Sequence, residues 1–180
     1  MTVAWVFPGQ GSQKIGMANE IINLPNAKDR FGYNPEVQIY ATRGYGVIQV
    51  NYRGSVGFGL EKMKLANRQW SLKMHDDLLD ALDWANNKGF VDMNKVCISG
   101  ASYGGYAVMA GITFTPDMYK CAVNYVGVTD LELLWETMPP QWEIFEEQQK
   151  VDIGDPEKDK ELLKARSPLN FVDRIQTPLY

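Results

Sequence analysis

The chain has 180 residues, with 18 Lys+Arg against 22 Asp+Glu, a formal net charge of −4 and 45% apolar residues. That length and balance fit one domain able to bury an ordinary core. Without a basic excess a phosphate-backbone binder is disfavoured, so no nucleic-acid partner is expected.

The single histidine, His75, excludes any metal site that needs two histidines and restricts triad chemistry. No cofactor or metal site is expected. No apolar run approaches the roughly 18–20 residues that cross a bilayer, and the start of the chain carries no basic leader. The expectation is a soluble, cytoplasmic protein with no membrane partner. Cys97 and Cys121 lie in apolar stretches and form no closely spaced pair, so they read as buried free thiols rather than a disulfide.

In chain order, residues 3–7 read as a short buried strand, stopped by Pro8 and the turn-rich Gly9-Gln10-Gly11-Ser12. Residues 36–42 read as a short helix. The β-branched run 47–52 reads as a strand, and 53–59 as a glycine-rich loop. That loop lacks the Lys-Ser/Thr of a phosphate-binding loop, so a backbone turn is favoured, with a structural role for Arg53. The clearest helix is 76–87, with Leu78, Leu79, Leu82 and Ala85 on one face. Asp76 and Asp77 suit its start, and Lys88 and Gly89 its close. Residues 96–98 are apolar throughout, as a strand covered on both faces is. Residues 107–114 look helical and 121–126 look like the next strand. Strands alternating with helices imply a doubly wound α/β fold, a parallel sheet with flanking helices. Residues 175–180 read as the opening of a further strand that does not arrive, which leaves the sheet incomplete at the C-terminus.

Gly100-Ala101-Ser102-Tyr103-Gly104 matches G-x-S-x-G. It directly follows the strand at 96–98 and directly precedes a helix, the setting a nucleophile elbow requires. The turn is tight, so small residues must flank Ser102, and Gly100 and Gly104 supply that clearance. The geometry lifts the Ser102 hydroxyl above the sheet and aims the Tyr103 backbone N–H at a developing oxyanion.

Residues from about 29 to 180 resemble the catalytic domain of the prolyl oligopeptidase family of serine peptidases, in its acylaminoacyl-peptidase-like branch. The likeness is carried by FGYNPEVQ (31–38), RGYGVIQVNYRGSVGFG (43–59), KMHDDLLDALDWA (73–85), VCISGASYGGYA (96–107), FTPDMY (114–119) and GDPEKDKELLKARSPLNFVDRIQTPL (154–179). The resemblance implies an α/β-hydrolase domain, normally paired with a β-propeller, that cleaves short peptides or acyl-peptides through an acyl-enzyme. It makes Ser102 the nucleophile and the Tyr103 N–H an oxyanion donor.

Three departures accompany the likeness. The family's His-Gly-Gly-Pro segment is replaced by Ile22-Asn23-Leu24-Pro25-Asn26. The acid and base should follow the nucleophile in the order Ser, Asp, His, yet none of the 78 residues after Ser102 is histidine. His75 precedes the serine and reads as a surface or capping residue rather than a base. No propeller sequence is present. The triad Asp and His are therefore read as missing, and the chain as inactive by itself.

Residues 1–31 resemble instead the amino terminus of malonyl-CoA:acyl-carrier-protein transacylases, through TVAWVFPGQGSQKIGMANEIINLPNAKDRF. That likeness implies an oxyanion role for Gln10 in the loop ending at Ser12 and Gln13, and makes an acyl-transferase fragment the alternative function. A non-catalytic, incomplete product is the other alternative. The expected division is a transacylase-like fragment at 1–31 and a partial hydrolase domain at 32–180. A truncated parallel sheet would leave an unpaired edge, through which the chain could self-associate.

Trp135, Met138 and Trp142 read as core or cap packing before pocket lining. Asp152, Asp155, Glu157, Asp159 and Glu161 lack the glycine-centred spacing of a calcium loop and read as a solvated face.

Overall fold

A computed structural model describes residues 3–8 and 33–180. Four strands form one parallel sheet: β1 (Val3–Pro8), β2 (Tyr45–Val50), β3 (Val96–Ala101) and β4 (Cys121–Tyr125), in the order β2-β1-β3-β4. β1 is an interior strand. It pairs with β2 from Val3↔Tyr45 to Pro8↔Val50 and with β3 from Ala4↔Val96 to Val6↔Ile98. The stretch that reads as part of a foreign fragment thus lies inside the hydrolase-like sheet.

Side chains alternate across the sheet as a pleat requires. Ile48, Val50, Val96, Ile98 and Ala122 face a large core, whereas Tyr45, Val47, Cys97, Cys121 and Val123 form a smaller cluster with Tyr40. Both faces are covered, which explains the unbroken apolar run at 96–98.

The helices are α1 (Pro35–Ala41), α2 (Leu60–Lys64), α3 (Lys73–Asn87), α4 (Tyr103–Phe114), α5 (Leu131–Glu136), α6 (Glu146–Asp152) and α7 (Lys160–Ala165). Asn34 caps α1 by accepting from the Glu36 and Val37 N–H groups. α3 starts three residues before the sequence expectation. Its buried face runs through Met74, His75, Leu78, Leu82 and Ala85, so a face that begins at Leu78 misses the first turn.

Two sequence expectations are corrected. Cys97 and Cys121 are disulfide-bonded, not free. They are register partners on adjacent strands with Cα atoms 4.7 Å apart, a span that permits the bond. A sequence separation of 24 conceals that proximity. His75 is neither on the surface nor a cap. It is 6% exposed, inside α3, with Nε2 hydrogen-bonded to Thr115 Oγ1 at 3.0 Å.

The strand expected after residue 175 has begun. The Ala122 N–H donates to Pro178 O, the Tyr180 N–H to Ala122 O, and the Asn124 N–H to Tyr180 O. Residues 178–180 therefore cover the outer edge of β4, leaving the outer edge of β2 without a strand partner among the described residues.

Candidate active site

β3 ends at Ala101 and α4 begins at Tyr103, so Ser102 alone makes the turn. It does so at φ 54 and ψ −119, a left-handed backbone that L side chains rarely adopt. Such strain persists only where the surroundings enforce it. Ser102 N–H donates to the Tyr125 carbonyl oxygen at 3.0 Å, and the Ser102 carbonyl accepts from the Tyr106 N–H at 3.0 Å. The Ser102 side chain is exposed at the C-terminal edge of the sheet, although its neighbours Tyr103 to Thr113 are buried.

The glycines are explained by close approach. A Cβ on Gly100 would stand 2.5 Å from both the carbonyl carbon and oxygen of Gly104. A Cβ on Gly105 would stand 2.5 Å from Gly127 Cα, so Gly105 belongs to the elbow as much as Gly100 and Gly104 do. Sequence reasoning left Gly105 aside because its partner, Gly127, sits beyond β4. Gly104 and Gly105 also disguise the helix start, since glycine is a poor helix former.

Tyr103 anchors the turn from below. Its ring packs 4.6 Å from Trp70, 5.5 Å from Tyr52 and 5.8 Å from Tyr106, centroid to centroid. Its hydroxyl donates to Met74 Sδ at 3.6 Å. Burial pushes its phenol well above the usual tyrosine range, so the side chain stays neutral at ordinary pH. The Tyr103 backbone N–H opens α4, where the first-turn N–H groups lack intrahelical acceptors.

A second left-handed residue lies beside the elbow. Val126, φ 47 and 70% exposed, follows β4 directly. The Gly127 N–H donates to Asn124 Oδ1 at 3.1 Å, which closes that turn.

Arg53 is a structural residue. Its backbone N–H and Nε donate to Asp77 Oδ2 at 2.7 and 2.9 Å, and Nη2 donates to Oδ1 at 2.6 Å. The Asp77 carboxylate holds its guanidinium above the usual arginine range. A cleft of about 610 Å³ opens beside this pair, lined also by Asn51, Lys62 and Asp80, and includes no residue of β3 or α4. In the acidic stretch, Asp159 Oδ2 accepts from Arg68 Nη2 at 2.6 Å and from the Asp155 N–H at 2.8 Å. It ties the loop before α3 to the loop before α7. Trp135 packs against the large core. Gln10, Ser12 and the segment 22–26 lie outside the described residues.

His75 cannot act as the base from its position in the core. Nε2 is engaged with Thr115, Nδ1 is enclosed without a protein partner, and burial lowers the imidazole pKa below its ordinary value.

A parallel sheet with a strand, a strained exposed serine and a helix in immediate succession defines an α/β-hydrolase-type serine site. The comparisons agree. Residues 31–180 match the family model described as Prolyl oligopeptidase family, and the chain belongs to that family of serine peptidases. It is 47% identical over 157 residues to dipeptidyl aminopeptidase BIII of Pseudoxanthomonas mexicana, covering 86% of this chain and 23% of that protein. It is 29% identical over 152 residues to acylamino-acid-releasing enzyme 1 of Oryza sativa subsp. japonica, covering 81% of this chain and 20% of that protein. Among solved structures, a puromycin-hydrolyzing peptidase of Mycobacterium tuberculosis superposes with a TM-score of 0.82 at 28% identity, covering 99% of this chain and 25% of that one. The acylaminoacyl peptidase of Pyrococcus horikoshii superposes at 0.81 and 22% identity, covering 99% and 26%, which shows the same fold. The chain spans about a quarter or less of the length of these relatives.

Proposed function

We propose that this chain carries the nucleophile half of a serine peptidase site, acting on short peptides or acyl-peptides. Ser102 is the nucleophile. Its Oγ attacks the scissile carbonyl to form an acyl-enzyme, and the Tyr103 N–H donates to the oxyanion of the tetrahedral intermediate. The observation that carries this reading is the left-handed, exposed Ser102 between β3 and α4.

The chain's one histidine is committed to the core. With that histidine engaged elsewhere, Ser102 Oγ has no imidazole to take its proton and stays protonated at neutral pH, and losing triad partners costs on the order of 10⁴–10⁶ in kcat. The 180-residue chain by itself therefore turns over no peptide at a useful rate. Incubation with a fluorophosphonate probe and a short acyl-peptide substrate tests this. Trace labelling confined to Ser102 without turnover is expected. Stoichiometric labelling with multiple turnovers would overturn the inactivity, and labelling spread over other serines would overturn the assignment.

Among the described residues no helix is long and apolar enough to cross a membrane. Among the described residues the outer edge of β2 has no strand partner, and we propose that edge as the contact for self-association.

A further inference from the structure

We propose that the Cys97–Cys121 disulfide is a reversible thiol–disulfide site, gated by helix α1, which small dithiols open in the folded protein. The bond lies on the sheet face opposite the large core, in a smaller cluster with Tyr40, Tyr45, Val47 and Val123. Among the described residues of this cluster Cys97 is buried and Cys121 half-buried. Among the described residues, the helix that reaches this cluster is α1, seven residues long with none fully buried, through Tyr40 packed against Cys97. A short helix without a fully buried residue opens at low free energy.

The bond also joins the two strands that build the elbow. Cys97↔Cys121 begins the β3–β4 register, Ala101↔Tyr125 ends it, and the Ser102 N–H to Tyr125 O bond follows. Reduction releases the covalent clamp at the base of the pair whose top holds Ser102.

The exchange balances. A dithiol thiolate attacks the more accessible Cys121 sulfur and breaks the S–S bond, giving a mixed disulfide and the Cys97 thiolate, which takes up a proton. The reductant's second thiol then displaces Cys121, which also leaves as a thiol. Two electrons and two protons pass to the protein, and the reductant departs as its cyclic disulfide.

The test treats the full chain with dithiothreitol without denaturant, quenches with iodoacetamide and follows intact mass. Two alkylations are expected, faster than global unfolding measured in parallel, and reversal by glutathione disulfide. Deuterium uptake at the Ser102 amide should rise on reduction. Asn34→Ala removes the cap of α1 without touching the core and should speed reduction about fivefold. Tyr40→Ala should speed it at least as much. Thiols that appear only in denaturant, two alkylatable thiols before any reductant, or an unchanged rate in the Asn34→Ala chain would each overturn the proposal.

Discussion

The Ser102 N–H is hydrogen-bonded to the Tyr125 carbonyl at 3.0 Å, so the left-handed residue that follows β3 is fastened to the last residue of β4. The neighbouring strand therefore holds the strained turn in place. A non-glycine residue in this region costs about 1–3 kcal/mol. Ser102→Gly should relieve most of that strain against a smaller entropic loss, for a net gain of about 1 kcal/mol. In a chain of this size that raises Tm by about 2–4 °C, measurable by calorimetry. A lower Tm would show that Ser102 is unstrained.

Gly100→Ala should do the opposite. Its methyl would meet Gly104 backbone, which cannot rotate away as a side chain can. Overpacking of this kind costs about 1–3 kcal/mol. The denaturant midpoint should fall with an unchanged slope, and the elbow serine should lose its trace reactivity toward the probe.

His75 makes stability depend on pH. Burial is the largest cause and lowers its folded-state pKa, with Asp76 opposing. The unfolded chain therefore takes up a proton near pH 6.5, while the folded chain does not until a lower pH. Its contribution is fully present above pH 6.5 and is lost as pH falls below that value. Tm should be flat from pH 7 to 8 and decline below 6.5. His75→Gln should flatten the decline, as followed by circular dichroism.

The Arg53–Asp77 pair is about one-fifth exposed on each side and bonded through three donors. Asp77→Ala should destabilise by about 2 kcal/mol, since hydrogen bonds to charged groups are each worth about 1.5–3 kcal/mol and solvent screens part of that. Arg53→Lys should also destabilise, because an ammonium lacks the two-pronged donor geometry that matches a carboxylate. Urea unfolding of the two variants distinguishes these outcomes.

The sequence by itself determined the class of fold and the place of the strand–serine–helix turn whose Ser102 we propose as nucleophile. Apolar strands alternating with helices require a parallel sheet, and Gly100-Ala101-Ser102-Tyr103-Gly104 between a strand and a helix carries its own steric logic over five residues. These are local signals, set by periodicity and by space around one turn. Tertiary structure decided what depends on residues far apart in the chain. It brought Cys97 opposite Cys121, set Gly105 against Gly127, turned His75 inward to Thr115, and placed β1 between β2 and β3 although the family match begins only at residue 31. Strand order and register are fixed by which faces bury together, and no window of a few residues contains that information.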